Sequence, residues 1–267
     1  VRVTDSDATG NTVRDCLIGN DGSTASGNAG GGVVIEAGAS GNVLGGTAVA
    51  DRNVISGNGV GTANVLLTGA DTSGNLVRGN YIGPDATGMS SLSTDEYGVE
   101  ITNSAHGNTV GGATAGAGNL ISGNEEGGVF LSTNANNNLL LGNVVGPDAT
   151  GAAAAGFQAD GVLATGSAWG NRIGGVAAGA GNHIAYNGGE GVRIGTFETI
   201  WNPIRRNSIH HNGGSGIELY DGGNHELAAP VVTGLSPVQG TAAADATVEL
   251  FIDEADEGEL FIASTLT

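Results

Sequence analysis

Residues 107–151 read GNTVGGATAGAGNLISGNEEGGVFLSTNANNNLLLGNVVGPDATG. Three short apolar pieces follow one another in this stretch: Asn108-Thr109-Val110, Asn119-Leu120-Ile121 and Gly128-Val129-Phe130-Leu131. The first then returns as Asn138-Leu139-Leu140 and the second as Asn143-Val144-Val145. Pieces of this length, each bounded by Gly or Asn, are too short for helices. Their regular return is the signature of a coil that carries three short strands and repeats along an axis.

The same registers extend in both directions. The first has its Asn at Asn11, Asn42, Asn75, Asn108, Asn138, Asn171 and Asn202, at steps of 31, 33, 33, 30, 33 and 31 residues. Gly precedes each of these except Asn138 and Asn202, where Asn137 and Trp201 stand instead. The second register places Asn53, Asn80, Asn119, Asn143, Asn182 and Asn207 before an x-Ile or x-Val pair, with Cys16 in the same slot ahead of Leu17-Ile18. Alternate members of this register lie 63 to 66 residues apart, so two kinds of coil alternate. One inserts a turn such as GGATAGAGN; the other carries the later turn GPDATG, at 83–88 and 146–151. The third register is Gly-Val-x-Ile or a close variant, at 32–35, 98–101, 128–131, 191–194 and 216–219, with a weaker copy at 161–164 and a one-residue shift at 65–67.

Alternation within each strand sends Val and Ile inward and the x residue outward. Gly at the corners permits positive φ. Asn stacked at one corner of successive coils can hydrogen-bond its neighbours above and below, which satisfies buried polar groups where strand pairing breaks. Gly inside every would-be helix excludes helical repeats. Seven first-register members predict about seven coils, a stack on the order of 35 Å long at the usual strand spacing.

Composition agrees. Gly accounts for 51 of the 267 residues, whereas aromatics make up 4%, which suits many tight coils better than a core of large side chains. There are 27 acidic residues against 8 basic ones, all Arg, for a net charge of -19. That balance argues against nucleic acid and anionic membrane surfaces as partners. One Cys excludes an internal disulfide framework, and no apolar run has the length of a membrane span, so no insertion is expected.

The phrases GNYIGPDATG (79–88), GAGNLISGN (116–124) and ADRNVISGN (50–58) resemble the repeats of large bacterial surface and secreted proteins with a right-handed parallel β-helix, of the pectate-lyase-like architecture. The resemblance covers roughly residues 10–225 and implies an all-β, right-handed parallel β-helix solenoid with Asn ladders over residues 1–228, in an extracellular, cell-surface or matrix setting. After Pro230 the repeat stops. Apolar strands at 231–232, 247–253 and 259–265, the last two joined by EADEGE, resemble the opening strands of a bacterial immunoglobulin-like domain. Residues 229–267 are therefore read as a partial, sandwich-like segment of a module that needs about seven strands.

Enzymes, adhesins and structural fibres all use this architecture. Family pectate lyases use clustered Asp for Ca²⁺ with a basic proton acceptor, and family polygalacturonases carry an Asp-Asp pair, Gly-His-Gly and Arg-x-Lys; none of these strings occurs here, and Lys is missing altogether. The strongest catalytic constellation left is Tyr186, Arg193, His210 and His211, accompanied by His183, Glu190, Arg205, Arg206 and Glu218 in adjacent coils. Register places His183 over Ser208 and Tyr186 over His211. Tyr or His as base and Arg as charge neutraliser would suit a β-elimination; the alternative is that these side chains cover the last coils. Acidic residues just before the third-register strand, among them Glu96, Glu126, Asp160 and Glu190, form a column that could bind Ca²⁺ or serve as a solvated ridge against aggregation. No other cofactor is implied. Leu66, Phe130 and Leu163 fall at outward positions and are expected to be exposed, as a packing face for another domain or protomer. Trp169 and Trp201 sit in turns beside the ladder, where covering a corner is the expected role.

Both ends of the stack read as open, so the expected function is structural or adhesive: a section of a longer surface protein, or a subunit of a head-to-tail fibre. Its partners would be further copies of itself, through head-to-tail or strand-donating contacts, or neighbouring domains, with glycans as a further class. The alternative is a polysaccharide lyase or glycoside hydrolase of the β-helix type.

Overall fold

A computed structural model describes residues 1–28, 30–59, 63–92, 97–244, 247–252 and 258–266. Three parallel sheets run the length of the repeat, one of eight strands and two of seven. Sheet 1 contains Arg2–Thr4, Val33–Glu36, Val65–Thr68, Tyr97–Thr102, Gly127–Leu131, Asp160–Ala164, Val192–Gly195 and Ile217–Tyr220. Sheet 2 runs from Thr12–Val13 to Ile204–Arg205, and sheet 3 from Leu17–Ile18 to Ser208–His210. Successive strands of each sheet belong to successive coils, so the chain is a parallel β-helix of seven coils plus one further strand.

Every coil adds the same inward set. Sheet 1 stacks Val33, Val65, Val99, Val129, Val162 and Val192 in one column and Ile35, Leu67, Ile101, Leu131, Ala164 and Ile194 in the next. Sheet 2 contributes Leu44, Val77, Val110, Leu140 and Ile173; sheet 3 contributes Ile55, Ile82, Ile121, Val145, Ile184 and Ile209. All are buried, and each Val, Leu or Ile among them stabilises the fold by about 1.5–3 kcal/mol relative to exposure.

The ladders form as the register predicts. From Asn42 to Asn171, the backbone N–H and Nδ2 of each first-register Asn both donate to Oδ1 of the next, at 2.9 to 3.2 Å. The second ladder repeats this from Asn53 to Asn207 at 2.9 to 3.3 Å. Cys16 holds the Asn slot: its N–H donates to Asn53 Oδ1 at 3.1 Å and its Sγ lies 3.0 Å from the Arg14 carbonyl. The residue before each first-ladder Asn is left-handed, with φ of 62° to 68° at Gly10, Gly41, Gly74, Gly107 and Gly170, which explains the Gly-Asn dipeptide.

A third ladder, at the corner between sheets 3 and 1, was not legible as one register. It runs from Asn28 through Asn58, Asn64, Asn124, Gln158 and Asn187 to Asn212, each side-chain amide donating to the next at 2.7 to 3.2 Å. Its signal is the second Asn of the ISGN phrases, Asn58 and Asn124. The coil-type alternation hides the rest, because Asn64 and Gln158 enter from different points of the preceding turn.

Two expectations change. The outward column Val34, Leu66, Glu100, Phe130, Leu163, Arg193 and Glu218 is in register, but Leu66, Phe130 and Leu163 are half-buried and not exposed. The Tyr97 ring stacks on Phe130 at 4.5 Å between centroids.

The C-terminal end of the stack is partly covered, along sheets 2 and 3, while among the described residues the last strand of sheet 1 has no further strand beside it and Ile217 is exposed. The tail forms two antiparallel hairpins, Val231–Leu235 with Val238–Thr241 and Thr247–Ile252 with Leu260–Leu266, so the first hairpin supplies a strand beyond the three expected. Most of the EADEGE turn lies outside the described residues. The second hairpin sits on the last coil: Ile209 N–H donates to the Gly258 carbonyl at 3.0 Å, and Glu249 accepts from Arg205 Nε at 2.7 Å and Arg206 N–H at 2.8 Å. The Arg206 guanidinium lies 4.5 Å from the Phe261 ring centroid.

Candidate functional site

In the last two coils, large side chains take over corner positions that earlier coils give to Gly. Tyr186 and His211 precede third-ladder members, as Gly57 and Gly123 do; Arg206 precedes Asn207, as Gly142 precedes Asn143; Trp201 precedes Asn202. All four are left-handed, with φ of 57°, 57°, 52° and 57° respectively. A side chain there costs about 1–2 kcal/mol that Gly would not. Arg206 offsets the strain by seating the tail hairpin.

Tyr186 and His211 stack at 5.2 Å between centroids, as the register predicts, and they open onto a chain of imidazoles. His211 Nδ1 lies 2.7 Å from His210 Nδ1, and His210 Nε2 lies 2.9 Å from His183 Nε2. Sheet 3 sets this up by pairing His183 with Ser208 and Ala185 with His210. Each ring-to-ring contact requires one N–H and one lone pair, so three neutral imidazoles place two protons between rings and one at an end. One added proton can sit at the opposite end without breaking a contact, whereas a second addition breaks one. Burial pushes the His183 pKa below its ordinary value, His210 adds to the effect, and the Glu259 carboxylate opposes it. The group has the donors and acceptors of a general base or proton relay.

Arg193 does not join it. It projects from sheet 1, donates from Nε to Glu218 at 2.7 Å, lies 3.8 Å from Asp160 and packs over the Tyr220 ring. The sequence placed base and charge neutraliser in the same coils, but the two sheets aim them in different directions. A β-elimination pairing of Arg193 with Tyr186, His210 or His211 is therefore not assembled.

The acidic column is also divided. Glu96 lies outside the described residues. Gly127 pairs with Asp160, so Glu126 is one residue out of line and points into solvent. Asp160 and Glu190 do meet: burial, with the hydrogen bond and charge of Asp160, pushes the Glu190 pKa up. Among the described residues, no group of three or more His, Cys, Asp or Glu side chains is placed to hold a metal.

The alternating turns form a groove that the sequence did not reveal. The inserted turns of alternate coils stack on each other at the corner between sheets 2 and 3, where the Gly116 backbone closely approaches the Thr47 carbonyl and Gly179 that of Ala113. The GPDATG turns stack at the other edge of sheet 3, with Ala149 N–H donating to the Gly88 carbonyl at 2.9 Å. Between the two ridges lies a trough of about 780 Å³ with Tyr81, Leu120, Val144 and His183 along it. In the bordering turn Asp148 accepts from Thr150 Oγ1 at 2.6 Å, and this bond holds its carboxyl below the usual range.

Both Trp residues, in turns beside the first ladder, are exposed: Trp169 by 39% and Trp201 by 67%. A scan against protein-family models, a search of curated proteins and a search of solved structures each return no match.

Proposed function

We propose that this chain is a structural or adhesive β-solenoid of the extracellular type, a stiff section of a surface protein or a subunit of a fibre. The observation that supports this reading is the continuity of the three corner ladders through the stack. Each buried amide is tied to the coil above and the coil below, so bending between coils breaks hydrogen bonds in a dry interior. That is the behaviour of a rigid spacer. The tail hairpins, with Leu235 83% and Leu266 72% exposed, fit strands of an immunoglobulin-like module completed by further strands, from the same protein or from another copy. The pectate-lyase-like ancestry of the repeat is part of the same proposal.

Negative-stain microscopy and sedimentation at rising concentration test it. Rods or end-to-end filaments of uniform width are expected. Flexible, bent particles would overturn the spacer reading.

The His183–His210–His211 chain beside Tyr186 favours a second reading, a polysaccharide lyase or glycoside hydrolase. Its test is turnover of a polysaccharide panel, followed for unsaturated ends and for reducing ends. Activity unchanged in His210→Gln would remove this group from the chemistry.

A further inference from the structure

Trp201 occupies a corner position at which five coils have Gly and one has Asn. A bulky side chain with positive φ is an outlier that the surroundings must support. Burial does not account for it, because 67% of Trp201 is exposed. The contact with His225, 6.5 Å away and edge-on, leaves most of the indole in water. One coil earlier, Trp169 is also exposed.

The two indoles border one cavity of about 300 Å³, together with Ile200, Asn134, Ser167 and Glu198. This is at the small end of ligand-site sizes. Among the described residues, neither indole N–H nor the Asn134 side-chain amide has a hydrogen-bond partner, and the Glu198 carboxylate takes a long, 3.5 Å contact from Ser167 Oγ. Flat apolar faces are thus interleaved with donors that have no partner within the chain and one acceptor held only by a long contact.

We infer that this cavity is a binding site for a neutral saccharide, with one pyranose ring against the indoles. The axial C–H face of a pyranose matches an aromatic platform. Its hydroxyls both donate and accept, so they can use the Asn134 amide and indole N–H groups as well as Glu198. A cationic peptide would use the carboxylate and the ring faces but leave the donors idle. An acidic saccharide is repelled by Glu198 and by the net charge of -19. The site lies in the turns between sheets 1 and 2, away from the histidine chain. It needs neither fibre assembly nor catalysis, so its failure and the failure of the structural reading are separate results.

Trp169 and Trp201 are the only two Trp in the chain, so intrinsic tryptophan fluorescence reports on this cavity alone. The experiment titrates the intact chain with cellohexaose, maltohexaose, laminarihexaose and mannohexaose, with oligogalacturonate and an Arg-rich peptide as comparisons, and reads emission and acrylamide quenching. At least one neutral hexasaccharide is expected to shift the emission saturably and to shield the indoles. Trp201→Asn, which keeps a residue tolerant of the left-handed backbone, should weaken its affinity, measured by calorimetry, about tenfold or more. Trp169→Ala gives the same readout should Trp201→Asn fail to fold. No saturable response to any neutral hexasaccharide at millimolar concentration would overturn the assignment. So would a response confined to the peptide or the oligogalacturonate, or undiminished affinity in the folded variants.

Discussion

Replacing Asn119 by Ala removes one rung from the middle of the second ladder. Asn119 Oδ1 accepts from the N–H and the Nδ2 of Asn80, both at 3.0 Å; its Nδ2 donates to the Val77 carbonyl at 2.8 Å and to Asn143 Oδ1 at 3.0 Å. Some of these partners keep other contacts. Asn80 Nδ2 still reaches the Leu44 and Arg78 carbonyls, and Asn143 Oδ1 still accepts the Asn119 N–H. The Asn80 N–H is left without its acceptor in a fully buried residue, which costs about 1–3 kcal/mol, and the other three bonds contribute about 0.5–1.5 kcal/mol each. The expected destabilisation is about 5 kcal/mol. The control is Asn11→Ala at the exposed end of the first ladder, where only the Nδ2 bond to Asn42 Oδ1 is lost and the backbone N–H keeps that acceptor; its cost should stay below about 1 kcal/mol. Asn119→Asp sharpens the comparison, because an introduced carboxylate sets oxygen against the Val77 and Asn143 oxygens. Its folded-state pKa must rise, so this variant should recover stability as pH falls and the group protonates. Urea unfolding followed by circular dichroism gives the stabilities. Hydrogen exchange at Asn80 locates the damage, since repeat stacks unfold in parts. Equal costs for Asn119→Ala and Asn11→Ala would refute the argument that buried rungs hold the stack.

Cys16→Asn should stabilise by about 1 kcal/mol, seen as a raised urea midpoint, because a side-chain amide in this slot can donate to Asn53 Oδ1, as the other rungs do. Gly111→Ala should destabilise strongly, by about 3 kcal/mol or more, because φ is 88° and the new Cβ would overlap the Leu141 carbonyl; a variant that melts like the parent would contradict the close approach of coils at this corner. His183 has a folded-state pKa lowered from 6.5, chiefly by burial. The unfolded chain therefore takes up the proton first, and stability should fall as pH drops below about 6.5 and level off below the folded value. Melting temperatures from pH 8 to 5 should show that slope, and His183→Gln should flatten it.

The sequence by itself determined the solenoid. Identical spacing places identical side chains in columns, so Asn-x-Ile and Gly-Val-x-Ile fixed which residues face inward, which form two of the ladders, and that His183 lies over Ser208 and Tyr186 over His211. This was legible because in-register parallel stacking is a one-dimensional problem: a residue's partner is the one a repeat away. What the tertiary structure alone decided depends on how each coil is closed. Turn length determined that the third ladder passes through Asn64 and Gln158, and that alternating insertions become two ridges beside sheet 3. The angle between sheets separated Arg193 from the histidines, although all lie in adjacent coils. Side-chain rotamers joined His183, His210 and His211 into one chain and left Trp201 in water. Periodicity specifies which residues stack, but not how far apart two faces of the same coil stand. The candidate chemistry lies between those faces and at the turns, where the repeat breaks its own rule.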